Sequence, residues 1–349
     1  MGIAKLADLI RTNAPDAISH KDISDYTGKI IALDASIIIN QFRAASPMLS
    51  PLTGLLFRTL TLLEHDIKPV FVFDGKPPVE KKALLKKRAE AGGWSVNHTG
   101  IASSLTNECV KLLKCLGVPV VQAPGDAEAL CAQLVKWGTV DVVASEDMDT
   151  LPFGAKTLIR QLNAKKDSDV IEYSLPKLLE KLQITQSEFV DLCILLGCDY
   201  CGKIAGFGPK RALTLIQQHR SIEEVVLHIN RQTHPIPHSW KYKEARKIFL
   251  EELETEAPEL CWTEPDEEAL VGFLCHVKHI REDRIRRRME RFRETVKGMR
   301  EKREKERVAE HGRQTRLEDF FRVTRKRSHM NVTDAANSSS INRKKPKTN

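Results

Sequence analysis

The sequence predicts an α/β protein with a mostly parallel central sheet and helices on both faces. Three observations carry this expectation. Four short, β-branched runs are apolar almost throughout, as strands covered on both faces are. Helical patterns of apolar residues lie between them. Acidic residues follow the runs one after another, at the carboxyl edge where parallel sheets bind ligands.

The strand runs are "KIIALDAS" (29–36), "KPVFVFDG" (68–75), "VPVVQAP" (118–124) and "VDVVAS" (140–145). "GLLFRTLTLLEHD" supplies a helix between the first and second, and "DAEALCAQLVKWG" one between the third and fourth. "QSEFVDLCILLG" (186–197) continues as a further helix, and "AGGWSVNHTG" (91–100) reads as a loop. No internal repeat interrupts this order. The expected division is an N-terminal α/β region at 1–90, a loop at 91–107, and an internal region at 108–277. A basic helical extension at 278–310 and a disordered tail at 311–349 follow.

Bulk properties narrow the function classes. A chain of 349 residues with 41% hydrophobic content can build one large core. The start has no basic stretch followed by a long apolar one, and no run reaches membrane-span length, so neither a signal peptide nor a membrane anchor is expected. Leu6 breaks the myristoylation pattern. The eight cysteines sit mostly in apolar helical patterns, and only Cys198 and Cys201 make a C-x-x-C. Without a second pair this is a poor zinc site, and reduced intracellular thiols are expected. The net charge of +8 is uneven: residues 278–349 hold 24 Lys and Arg against 11 Asp and Glu, a net of +13, while the remainder has a net of −5. A basic tail suits nucleic acid or nuclear import, and its helical part also reads simply as a solvated face.

The chemistry is concentrated in the acids. Asp34 ends the first strand run and Asp74 the second; Asp126 and Glu128 open the helix after the third; Glu146, Asp147 and Asp149 follow the fourth; Asp199 ends the run "CILLGCD". Like charges brought together raise each other's free energy. Divalent cations would neutralise them, and ligation by oxygen alone favours Mg²⁺, or Mn²⁺, over zinc. Two such ions suit phosphodiester hydrolysis. Taken singly, each acid also reads as a helix cap or loop residue. A second signal is "GFGPKRA" (206–212). Gly206 and Gly208 allow a tight turn, Pro209 starts a helix, and Lys210 and Arg211 add positive charge for a phosphate at a helix N-terminus. A third is "QTRLEDFF", in which Gln314, Leu317, Phe320 and Phe321 form a short docking peptide in a polar tail. "RKR" (325–327) and "RKKPK" (343–347) are basic patches of the nuclear-import or nucleic-acid type.

With "MGI", "LDAS", "VFDGKPP", "APGDAEA", "SEDMD", "FVDLCILLGCDYC", "GFGPKRA" and "QTRLEDFF" in this order, the sequence resembles the flap endonuclease branch of the structure-specific 5′ nucleases over nearly its whole length. The resemblance implies a 5′ nuclease, PIN-like fold with a helix–two-turn–helix element. It implies metal-dependent cleavage of branched DNA near a single-strand/duplex junction, in replication and repair in the nucleus, by a monomer. Matched position by position, the metal acids are Asp34, Asp74, Asp126, Glu128, Asp147, Asp149 and Asp199, holding two Mg²⁺ ions, with Glu146 outside the set. Lys81 and Arg88 would steer the scissile phosphate. Gly2, Arg58, Gly206, Gly208, Lys210 and Arg211 would contact DNA, with a K⁺ often bound at the turn. The tail peptide would dock on the replication sliding clamp.

The departures from the pattern fall mostly on substrate selection. Asp126 stands where the family usually has Glu, and Asn40 replaces an aromatic that stacks on a base. Pro47 and Leu49 replace the Arg and Thr that hold a 3′ flap, with Arg43 nearby, and Lys203 stands where the K⁺ turn has Ser. The arch segment is short. The expectation is a divalent-metal 5′ nuclease, with a shifted choice of gaps, bubbles or 5′ ends as a variant. A clamp-bound DNA-binding protein with little catalysis is the rival. The acid set discriminates, because a binding module would only repel phosphate with seven metal-free carboxylates.

Overall fold

The structure is a computed structural model that describes residues 2–3, 5–45, 50–82, 99–162, 169–238 and 240–313. It divides into two compact units, Met1–Lys297 and Gly298–Asn349. The first contains a seven-stranded sheet of β1 (Ile18–Lys21), β2 (Ile30–Asp34), β3 (Lys68–Phe73), β4 (Val120–Gln122), β5 (Val142–Ala144), β6 (Thr157–Arg160) and β7 (Val170–Ser174). Their spatial order is β1-β7-β6-β5-β2-β3-β4. The strands from β6 to β4 are mutually parallel, and the other edge is antiparallel, β7 on β6 and β1 on β7. The expected mostly parallel sheet is present, with each of the four anticipated runs forming a strand.

Alternation along the strands sends successive side chains to opposite faces. Ala32, Val70, Val72, Val143 and Leu158 join one core cluster; Ile31, Leu33, Phe71, Phe73, Val142, Ala144 and Ile159 join the other. The first cluster takes in residues of α1 (Leu6–Asn13), α5 (Ala127–Lys136), α6 (Leu175–Leu182) and α7 (Gln186–Leu196). The second takes in α2 (Ala35–Ala45), α3 (Pro51–Glu64), α4 (Thr99–Cys115) and α11 (Glu267–Val271). Both faces are thus covered.

Beyond α7 lie α8 (Pro209–His219), α9 (Ile222–His228) and α10 (Tyr242–Leu250). α7 begins with a reciprocal capping box: the Glu188 N–H donates to Thr185 Oγ1 at 3.3 Å, and the Thr185 N–H to Glu188 Oε2 at 2.8 Å. Arg246 of α10 ties this layer together through Asp191 of α7 and Glu223 of α9, with contacts of 2.6 to 2.9 Å. The last described helix, α12, runs Glu282–Arg313. In the second unit its residues 298–308 are exposed apart from Met299.

Two expectations need adjustment. Thr99 and Gly100, read as the end of a loop, open helix α4, which continues across residue 107. Leu105, Cys109, Leu112, Leu113 and Leu116 recur at helical spacing and pack on the second core cluster, which extends this helix into the region read as shortened arch. Residues 91–98 lie outside the described residues. Strands β1, β6 and β7, joined by two antiparallel pairings on one side of the sheet, were also not anticipated.

Candidate metal centre

Chain direction brings the acids together. Asp34 is the last residue of β2, Asp74 follows β3, Asp126 and Glu128 lie at the start of α5 just after β4, and Asp147 and Asp149 follow β5. These strands are neighbours in the sheet, so their carboxyl ends form one edge. Asp199 reaches it from the turn after α7 and senses Lys81 and Asp149 electrostatically. Asp34, Asp126, Glu128, Asp147, Asp149 and Asp199 are all buried, between 1% and 9% exposed, and Asp74 is exposed.

The local hydrogen bonds aim these side chains. Asp34 Oδ1 accepts from the Ile37 N–H at 3.1 Å. Ser145 bridges two acids: its hydroxyl donates to Asp34 Oδ2 at 3.5 Å and accepts from the Asp147 N–H at 3.0 Å. Asp147 Oδ1 accepts from the Asp149 N–H at 3.0 Å, and Asp149 Oδ1 from the Ile3 N–H at 2.8 Å. The N-terminal backbone therefore lies over this pair. Gly2, at φ +87°, has no room for a side chain, because a Cβ would stand 1.9 Å from Asp147 Oδ1. Asp74 Oδ1 accepts from the Ala127 N–H at 2.9 Å. Asp126 receives Lys81 Nζ at 2.8 Å on Oδ1 and the Tyr200 hydroxyl at 2.6 Å on Oδ2.

Burial and mutual repulsion set the proton affinities. Burial first, then Asp74 and Asp147, push Asp34 up to about 7 from 3.8. Burial, with Asp34 opposing its charge, raises Glu128 well above the usual carboxylate range; burial and Asp147 do the same to Asp149. For Lys81, burial opposes the charge, but Glu128 and Asp126 outweigh it and hold the ammonium above its ordinary range.

The donor set fits a divalent cation. Oxygen ligands of Asp74, Asp126 and Glu128 lie within 4.8 Å of one another. Glu128 Oε2 is buried with no hydrogen-bond partner, an arrangement costly for a carboxylate and relieved by a cation. Hard oxygen donors suit Mg²⁺ or Mn²⁺.

Other expected residues fall in several places. Glu146 turns away, accepting from the Gln161 N–H at 2.7 Å and pairing with Arg160 Nε at 3.4 Å. Arg58, expected on DNA, is 9% exposed and points inward, donating from Nη1 to Gln41 Oε1 at 3.1 Å and from Nη2 to the Leu162 carbonyl. Burial lowers its guanidinium to about 10. At "GFGPKRA", Gly206 has φ +79°, and a Cβ there would meet His234 Nδ1 at 2.9 Å. Gly208 caps α8, with Pro209 in its first turn. Lys210 and Arg211 are exposed, and the Arg211 guanidinium lies 5.6 Å from the Phe207 ring centroid. Asn40 and Lys203 are exposed. Arg88, Pro47, Leu49, Gln314, Leu317, Phe320 and Phe321 lie outside the described residues. Sequence reasoning missed Ser145, Tyr200 and the Ile3 N–H. Ser145 and Tyr200 adjoin acids in the quoted motifs, but the bonds they make run between elements far apart in the chain.

The chain is similar to known proteins over most of its length. Residues 1–92 match the XPG N-terminal domain and residues 117–199 the XPG I-region. A probable flap endonuclease 1 homolog from Danio rerio is 59% identical over 331 residues, 94% of this chain and 95% of that protein. The structure of flap endonuclease-1 from Methanococcus jannaschii superposes with a TM-score of 0.67 at 26% identity, covering 81% of this chain and 97% of that one. Human GEN1 in complex with Holliday junction DNA gives 0.68 at 28% identity, covering 83% and 77%. With both family regions matched and a relative of 59% identity spanned almost end to end, the chain belongs to the XPG family, in its flap endonuclease branch.

Proposed function

We propose that this protein hydrolyses phosphodiester bonds of branched DNA at the buried acid cluster, using two Mg²⁺ ions, with Mn²⁺ able to replace them. It is a structure-specific 5′ nuclease, and the family it belongs to is divalent-metal dependent. The orphaned Glu128 Oε2 amid the convergent acids carries the metal reading. Asp34, Asp74, Asp126, Glu128, Asp147, Asp149 and Asp199 would hold the ions. A bound pair of divalent cations supplies a water acidified for attack and charge neutralisation at the leaving oxygen.

The chain's own groups do the rest. Lys81, whose Nζ lies 2.8 Å from Asp126 Oδ1, would pair its ammonium with the scissile phosphate, and Arg88 joins it in this reading. The exposed turn from Gly206 to Arg211 offers backbone N–H groups and two cations to a duplex phosphate. Lys203 brings its own charge to that turn, so K⁺ is left out of the reading. The peptide Gln314, Leu317, Phe320 and Phe321 supports docking on the sliding clamp, and the basic patches support nuclear location. Action as a monomer completes the reading. No described helix is long and apolar enough to cross a membrane.

A shifted substrate choice has one specific support: Asn40, exposed on α2, cannot offer the aromatic face that stacks on a base. The experiment is cleavage of a panel of flaps, gaps and bubbles, with and without a one-nucleotide 3′ flap. Asp147→Ala and Asp149→Ala should abolish cleavage while DNA binding persists. Near-wild-type cleavage by either variant would remove the two-metal assignment.

A further inference from the structure

We propose that Tyr200 is a positioning residue for the nuclease reaction: its phenol fixes Asp126, and Asp126 in turn holds the Lys81 ammonium where the scissile phosphate enters. The inference rests on the metal-nuclease reading above and adds a residue to it.

The geometry is a chain of two short bonds. The Tyr200 hydroxyl donates to Asp126 Oδ2 at 2.6 Å, and Lys81 Nζ donates to Asp126 Oδ1 at 2.8 Å. The Tyr200 ring is held by packing. Tyr200 is 3% exposed, and its ring packs edge-on to Phe249 with centroids 5.1 Å apart, and to Phe153 at 6.2 Å. Asp126 is not fixed by its own helix: it is the N-cap residue of α5 but its side chain makes no capping bond. Its orientation therefore depends on Tyr200 and Lys81. Lys81 lies 5.9 Å from the Tyr200 ring centroid, with only 16% of its side chain exposed. Its four-carbon stem has rotational freedom that this anchored carboxylate removes. Removing the phenol frees Asp126 to rotate, and the ammonium loses its place. A positioned charge of this kind acts by being in place before the reaction begins.

The test is a double-mutant cycle read by single-turnover cleavage at saturating flap DNA and Mg²⁺. Wild type, Tyr200→Phe, Lys81→Ala and the double variant are compared. A hydrogen bond to a charged group predicts a loss of about tenfold for Tyr200→Phe. Because Tyr200 acts through Lys81, the double variant should cleave no more slowly than Lys81→Ala alone. A second readout needs no catalysis: calorimetric Mn²⁺ affinity of the DNA-free protein should fall by clearly less than the tenfold rate loss in Tyr200→Phe, because Asp126, freed to rotate, is one of seven acids around the ions and cleavage is read at saturating Mg²⁺. Multiplying rate effects would overturn the proposal, as would a Mn²⁺ affinity that falls with the rate, since Tyr200 would then serve the metal and not the lysine. A wild-type protein that takes up no Mn²⁺ would instead overturn the metal reading beneath it. Phe keeps the ring packing. Should Tyr200→Phe fail to fold, ring-fluorinated tyrosine at Tyr200 keeps both ring and donor, and its rate change must vanish in the Lys81→Ala background.

Discussion

In the metal-free protein, stability should fall as pH rises from about 4 to about 7, and Mg²⁺ should reduce that fall. The perturbation is ionisation of Asp34, which titrates near 7 in the fold against 3.8 outside it. A raised acid means that the folded state binds more protons than the unfolded chain between those two values. Stability therefore declines through that window and is lowest once Asp34 is charged. The difference is worth at most roughly 4 kcal/mol, and Glu128 and Asp149, shifted the same way, add to it. For a protein of this size that corresponds to a fall of about 8 °C in Tm. A divalent ion requires the charged acids, so its stabilisation should be greater at the alkaline end, about 2.7 kcal/mol at a hundredfold excess over Kd. Thermal melts in EDTA and in saturating Mg²⁺ across the range measure both effects. Asp34→Asn should flatten the metal-free slope. A metal-free Tm that is constant or rises with pH, or a Mg²⁺ gain equal at both ends, would refute the reasoning.

Arg246→Ala should cost about 3–5 kcal/mol in denaturant unfolding, because it strands the carboxylate of Asp191, 2% exposed, without its bidentate partner; a loss below about 1 kcal/mol would show that Asp191 finds other partners. Phe320→Ala combined with Phe321→Ala should abolish sliding-clamp binding in a titration and leave cleavage of free DNA unchanged, because the peptide lies outside the acid-bearing core.

The central strands and the acids were legible because each had a local signature. Continuous apolar runs such as "PVFVF" have no reading as an exposed loop, and the acids that end them inherit their place from strand direction. The edge strand β1, "ISHK", and its neighbour β7, "VIEYS", mix polar and apolar residues because this side of the sheet is less covered. Their pairing, Ile18 opposite Tyr173, joins positions far apart in the chain and leaves no local pattern. The same limit hid Ser145 and Tyr200. Their neighbours in sequence marked an acidic site, but which acid each would hold depended on how β2, α5 and the turn after α7 meet. The contacts of Arg58 were hidden for a related reason: its helix was anticipated, but its place on the side of α3 facing Gln41 and Leu162 was not.

The burial of the acids and their number make one argument. Exposed carboxylates would repel each other weakly through water and hold a cation weakly too. Buried ones repel strongly, and burial with that repulsion raises the proton affinity of Asp34, Glu128 and Asp149, so the metal-free site is strained toward protonation. The start of α5 offsets part of this, because Glu128 lies in its first turn, where the helix dipole favours negative charge. The remaining charge is divided. Lys81 and Tyr200 satisfy Asp126, Ser145 links Asp34 to the Asp147 backbone, and Ile3 satisfies Asp149, while Glu128 Oε2 has no protein partner. A cluster meant only to be stable would have closed that last contact. Leaving it open among so many acids makes sense where a cation completes it, and it separates this centre from Glu146, whose pairing with Arg160 and Gln161 is closed within the protein.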